Sequence, residues 1–396
     1  MIGTSAVADA SARPTSSSGS SSATPPRHAA LDGLRGIAIL MVLVMHCYVI
    51  VPTPEGVAMH DGLKRACSLF FSGVDLFFVL SGFLIGGILL DHRDAPNLLS
   101  GFFARRFFRI APLYALLLVT YFFARELPGL GAMSGGAYFD SPVPLWSYFT
   151  MLQNISMSSA GHVGNYWLSP TWSLGIEEQF YLLMPFAVRQ LTRRTLIYAC
   201  LLAFVACPML RLSALLFAGN SVAATFLLPM RADSLLAGVL CAATLRDPAV
   251  CAFLRRHRPL FGASLVGLVL FLGVLSSRGL SAGSPLMVSV GYSLVTTFCA
   301  GVVLWPLLFP AGAFATALGA APLRAVGGIS YFIYLFHTPI LFGVHWALRQ
   351  QPPLHHDLAG IAITLLALGA TFLLGALSWK CLETPLLRIG RRFTYA

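Results

Sequence analysis

The sequence predicts an all-α polytopic membrane protein with about ten transmembrane helices and both termini in the cytoplasm. Three observations carry this. Of 396 residues, 57% are hydrophobic and only 10% are charged, where a soluble domain carries about 25% charged residues. Mean hydropathy is +0.77. Apolar runs of near-spanning length recur from one end of the chain to the other. At that composition, only closed helices satisfy their own backbone in lipid.

The runs fall at about 33–51, 66–90, 110–127, 172–188, 195–217, 224–245, 259–276, 286–309, 325–348 and 358–380. The net charge of +11 invites a nucleic-acid partner, but its placement argues for topology instead. Arg93, Arg105, Arg106, Arg109, Arg189, Arg193, Arg194, Arg246, Arg255, Arg256, Arg258 and Arg324 all fall in alternate connections. Arg13, Arg27 and Arg35 at the start, and Lys380, Arg388, Arg391 and Arg392 at the end, join the same side. Lys64, Arg65, Arg125, Arg211, Arg231, Arg278 and Arg349 form the smaller set on the other side or at segment ends. Basic loops stay in the cytoplasm, and anionic lipid headgroups suit that charge as partners.

Residues 1–30 are rich in Ser, Ala and Pro with no apolar core. They fit a disordered cytoplasmic tail rather than a secretory signal. Residues 31–387 form the membrane domain and 388–396 a short basic tail. The one long connection, 128–171, has an amphipathic stretch at 145–155 and could roof a cavity on the outer face. The 8 cysteines are scattered, mostly within apolar runs, and show no metal spacing. They read as small core residues, with no metal expected.

The first apolar run holds three ionisable groups: Asp32, Arg35 and His46. Eleven positions separate Arg35 from His46, roughly 1100° of helix, so they share one stripe about 16 Å apart. With Arg35 at one face of a hydrocarbon core about 30 Å thick, His46 lies near its middle. A histidine at that depth is either a functional group facing a polar cavity or a packing residue bonded to a neighbouring helix. Asp32 lies about 40° off the stripe and fits a partner for Arg35.

Other polar residues recur in the membrane. Asp75, followed by Ser81 and Gly82, reads first as a structural hydrogen-bonding group. The other reading makes it a counter-charge to Arg35 or a partner of His46. Arg106 and Arg109, between the second and third runs, share a helix face and suit phosphate. Trp172, Glu177, Glu178, Gln179 and Tyr181 open the fourth run. Adjacent residues point about 100° apart, so one of the two glutamates faces any given cavity. That one could take a proton or orient His46. Arg231 and Asp233 read as a mutual ion pair holding two helices. Tyr331 and Tyr334 share a face, while His337 lies about 240° round from Tyr331. Ser330 precedes them, and Glu383 follows the last run as an anchor for its end.

Taken as an ordered set, these motifs resemble the acyltransferase-3 family of bacterial integral-membrane O-acyltransferases. The set is Leu31-Asp-Gly-Leu-Arg35-Gly with His46; Gly73-Val-Asp75-Leu-Phe-Phe-Val-Leu-Ser81-Gly; Arg106-x-x-Arg109; Trp172-Ser-Leu-x-x-Glu177-Glu178-Gln-Phe-Tyr181; Arg231-x-Asp233; Ile329-Ser330-Tyr331 with His337-x-Pro339; and Glu383-x-Pro385. The resemblance spans about residues 30–387 and implies ten transmembrane helices in the bacterial inner membrane. It matches Arg35 and His46 to the family's paired essential residues, and Arg106 and Arg109 to its acyl-CoA-contacting arginines. Gly175 stands where Ser is common and Ser234 where Ala is common, with no consequence expected for the chemistry. The sequence ends soon after the tenth run, so the chemistry is expected in the membrane domain and not in an appended hydrolase-like domain.

The resemblance implies transfer of an acyl group, acetyl above all, from cytoplasmic acyl-CoA to a sugar hydroxyl. That sugar would belong to a surface polysaccharide, such as lipopolysaccharide, or to its lipid-linked glycolipid precursor. A small secreted acceptor such as a macrolide sugar is the alternative within the family. Neutral imidazole has an ordinary pKa of about 6.5, which suits His46 as general base. It could activate the acceptor directly, or an acylated residue could carry the group outward. A proton-coupled transporter would also bury His, Arg, Asp and Glu. The halves of this sequence share no similarity beyond hydropathy, which counts against that class.

Overall fold

The computed structural model describes residues 29–53, 58–127, 138–278 and 283–395. Most of the proposed N-terminal tail and the first part of the long connection lie outside them. The described residues are mostly helical, with no strand among them. The long helices are α1 (Ala29–Val44), α2 (Gly73–Asp91), α3 (Leu98–Glu126), α4 (Trp172–Gln190) and α5 (Arg193–Ala218). They continue with α6 (Leu228–Leu245), α7 (Arg258–Ser277), α8 (Tyr292–Leu308), α9 (Ser330–Arg349) and α10 (Leu358–Ser378). Among the described residues, 9 segments are long and apolar enough to cross a membrane. The exception is α4, where Glu177, Glu178 and Arg189 dilute a run of 19 residues. The chain is a multi-pass membrane protein.

Several boundaries differ from the sequence reading. α3 begins at Leu98, well before the expected residue 110. Arg105, Arg106 and Arg109 therefore stand inside a helix and not in a loop. The arginines alternate with Phe102, Phe103, Phe107 and Phe108, so the turns are amphipathic and an apolar-run criterion cuts them off. α9 begins at Ser330, after a separate short helix Ala321–Gly328. α10 does not stop near 380. It passes through a π-helical turn, Trp379–Glu383, into Thr384–Gly390. Glu383 thus sits within a continuous helical rod instead of beyond it.

α2 is the hub, touching α1, α4, α6 and α8. The apolar stretch that contains it is 72% buried, against 11% for α7 at the rim. Its tightest neighbour is α6. A Cβ on Gly82 would fall 1.9 Å from the Leu235 carbonyl oxygen, and one on Gly238 would fall 2.1 Å from that of Val79. The two backbones touch, which only glycine allows.

The described part of the long connection is a packed wedge with helical turns at Trp146–Phe149 and Gln153–Ala160. Tyr138 donates to the Thr338 carbonyl (3.2 Å), Tyr121 to that of Phe139 (3.1 Å) and Tyr114 to that of Tyr148 (2.8 Å). The C-terminal segment is anchored too. Asn97 donates to the Thr394 carbonyl and Arg105 to that of Phe393, while the Arg105 guanidinium lies 4.5 Å from the Tyr395 ring centroid.

Candidate active site

Two cavities lie on either side of Val74 inside the bundle. The first, about 100 Å³, is lined by Arg35 of α1, Ser81 of α2, Arg106 and Arg109 of α3, Glu177 and Tyr181 of α4, and Ser330, Tyr331 and Tyr334 of α9. Arg35 is brought in because α1 lies close to the short helix Ala321–Gly328: a Cβ on Gly36 would meet the Leu323 carbonyl oxygen at 2.3 Å. Asp32 pairs with Arg35 at 3.4 Å, as the helix spacing suggested.

Tyr181 donates to Glu177 (3.0 Å), and its hydroxyl also bonds that of Ser81. The Arg106 guanidinium lies over the Tyr181 ring at 5.4 Å. Tyr331 donates to the Ile110 carbonyl. Beside this cavity, Glu383 shares a small recess with Arg109 and Tyr331, and accepts a hydrogen bond from Ser378 at 3.3 Å. Three guanidinium groups and one carboxylate face the first cavity. Of these three arginines, only Arg35 makes an ion pair among the described residues. The lining is thus electropositive and suited to an anion.

The second cavity, about 300 Å³, is lined by His46, Asp75, Trp172, Thr225, Phe226, Arg231 and Tyr292 among others. The long connection reaches it through Val163. His46 lies in a π-helical turn, Met45–Val49, that continues α1. Its Nδ1 stands 3.0 Å from the Val42 carbonyl oxygen. That nitrogen must donate, so in the neutral ring Nε2 is the basic site. The His337 ring packs edge-on against His46, with centroids 4.9 Å apart. His337 Nδ1 faces the carbonyls of Ile333 and Tyr334, and its buried Nε2 has no partner. Neither glutamate nor Asp75 hydrogen-bonds His46, contrary to one reading of the sequence.

Glu177 is the carboxylate that faces a cavity. Glu178 lines neither, and its Oε1 is buried without a partner. The expected Arg231–Asp233 pair does not form. Positions two apart point about 200° away from each other. Arg231 instead pairs with Asp75 of α2, and Asp233 pairs with Arg211 of α5 at 3.0 Å. Ser293 donates to Asp233, and Ser234 bonds Thr296 and reaches Asp75. The Ser234 hydroxyl, at a position where no consequence for the chemistry is expected, is part of this network. Arg211, counted only as a topology charge, is fully buried; an arginine inside an apolar run is the signal that could have found it. Trp172 stacks on Phe226 at 4.3 Å. Arg231 is held between the rings of Tyr292 (4.2 Å) and Phe78 (5.5 Å), with Nε and Nη1 unpartnered.

Fold and site together define a helical membrane protein with an electropositive chamber set beside a histidine chamber, both walled by α1, α2 and α4. The acyltransferase-domain family model matches residues 28–380, and the chain belongs to this acyltransferase-3 family. It is 24% identical to O-acetyltransferase OatA of Staphylococcus aureus over 375 residues, covering 91% of this chain and 57% of that protein. It is 26% identical to peptidoglycan O-acetyltransferase OatA of Listeria monocytogenes over 376 residues, covering 91% and 56%. A putative O-acetyltransferase of S. aureus is 25% identical over 391 residues, again covering 91% of this chain and 57% of the relative. The chain thus spans a little over half the length of these relatives. No solved structure matches.

Proposed function

We propose that this chain is an O-acyltransferase that moves an acetyl group from acetyl-CoA, held at the arginine chamber, to a sugar hydroxyl presented in the histidine chamber. The observation that carries the reading is the adjacency of two complementary sites. One offers Arg106 and Arg109, neither ion-paired among the described residues. The other offers His46 with Nε2 as its basic nitrogen. Guanidinium forks suit the CoA phosphates, and the thin pantetheine arm would carry the thioester inward. His46 Nε2 takes the proton of the acceptor hydroxyl, and the oxygen attacks the thioester carbonyl. The C–S bond breaks, and the CoA sulfur leaves with the proton from the imidazolium. His337 holds the ring in place, and the Val42 carbonyl fixes its tautomer.

In this reading the arginine chamber faces the cytoplasm, in the cytoplasmic membrane of a bacterium; the excess of basic residues in alternate connections supports it. The acceptor is a glycan or its lipid-linked precursor. Support comes from the relatives, one of them named for peptidoglycan.

The test uses full-length protein in detergent and in cells. CoA at a hundredfold excess over Kd should stabilise the wild type by about 2.7 kcal/mol. His46→Ala should keep that stabilisation and lose transfer to surface glycans, measured as ester-linked acetyl by mass spectrometry. Full transfer by His46→Ala would sink the reading. An acyl-enzyme trapped at low temperature would replace direct attack by a two-step route. Solute movement without ester formation would point to a transporter.

A further inference from the structure

Among the described residues, one side chain lines both chambers: Val74. The boundary falls at the same level on α4, where Trp172 faces the histidine chamber and Ser173 the arginine chamber. An acyl group that leaves a donor in one chamber for an acceptor beside His46 passes this point.

The neighbours of Val74 fix its backbone from two sides. On one side a Cβ at Gly73 would fall 2.6 Å from the Ala38 carbonyl oxygen, so α2 already touches α1 there. On the other side Asp75 is fully buried and tied to Arg231 of α6. The chain at position 74 therefore cannot retreat to widen the passage. What remains adjustable is the side chain, and valine's branched Cβ restricts its χ1. Phe77 stands on the arginine side and Phe71 and Trp172 on the histidine side, so bulky rings surround Val74, with Ser173 and Asp75 as its polar neighbours.

We infer that Val74 is the gate between the donor and acceptor chambers and sets the size of acyl group that crosses. This rests on the acyl-transfer reading above and adds a determinant of acyl length to it. One methylene in a fitted apolar pocket is worth roughly a 10- to 200-fold preference. Val74→Ala removes two methyl groups from the opening and should admit longer acyl chains. Val74→Phe should close it.

Membranes holding the full chain with its own acceptor are supplied in turn with acetyl-, propionyl- and butyryl-CoA, and ester-linked acyl groups are quantified by mass spectrometry. Val74→Ala is expected to raise the butyryl-to-acetyl ratio about tenfold or more over wild type. Val74→Phe is expected to lose transfer of all three while CoA still raises its Tm, which shows a folded donor site. Wild-type acetyl transfer by Val74→Phe, or an unchanged ratio in Val74→Ala, overturns the gate. Should Val74→Phe not fold, the ratio in Val74→Ala decides. Absence of any CoA-induced Tm rise in the wild type would bring down the donor reading, and the gate with it.

Discussion

The molecule buries charge in two ways. Between α2, α5, α6 and α8, Asp75 meets Arg231, and Asp233 meets Arg211. Two acids and two bases balance, and Ser234, Ser293 and Thr296 fill in hydrogen bonds. Between α1, α3, α4 and α9, three arginines face one another across a cavity with Glu177 as the single carboxylate in the lining. In the first cluster the charges cancel and hold helices, although Asp75 and Arg231 also line the histidine chamber. The second is left electrically open and calls for an anion from outside. The same residue types serve as scaffold or as site according to whether their charges cancel within the protein.

The closed cluster should break most expensively. Arg211→Met leaves Asp233 buried without its base, at a cost of about 3–5 kcal/mol. This is measured as a fall in Tm in detergent. The double replacement Arg211→Met with Asp233→Leu should recover most of that loss, because an apolar pair avoids the stranded charge.

The open cluster should behave the other way. Arg106→Ala removes one of three clustered positive charges, so unliganded Tm should hold or rise slightly. CoA affinity should fall by tenfold or more, since a charge-assisted hydrogen bond contributes about 1.5–3 kcal/mol. Titration by Tm shift reads both. An unchanged CoA affinity would erase the distinction between the clusters.

The smallest effect belongs to a rim pair, Arg349 with Asp357, which bond through two contacts of 2.8 Å. The hydrogen bond from Arg349 holds the Asp357 carboxyl below its usual range. A carboxyl depressed on folding contributes stability above its unfolded value, near 3.9, and loses it as pH falls through the folded value. Asp357→Asn should therefore lower Tm slightly at neutral pH, with the gap to wild type closing below about pH 4.

Much of the site was legible because it lies in short ordered motifs. His46, Arg35, Arg106, Arg109 and Glu177 were all singled out, and all five line the two chambers. Asp32 beside Arg35 followed from helical spacing alone. What the sequence hid was pairing between helices. Spacing on one helix relates Arg231 to Asp233, but says nothing of Asp75, 156 positions away along the chain. Arg211 lies outside any motif. The start of α3 is hidden in the sequence because arginines interrupt its apolar pattern while its backbone continues as helix. Val74 carries no chemical signal of its own; only its place between two cavities marks it.

The contact of Gly82 with Gly238 has a mechanical meaning. Carriers that alternate their access rock one half of the bundle against the other around a central site. Here the hub helix and its tightest neighbour meet backbone to backbone, with no side-chain layer on which to slide. In the acyl-transfer reading proposed above, what moves is a thioester arm, narrow and extended, reaching inward beside helices locked together at this crossing.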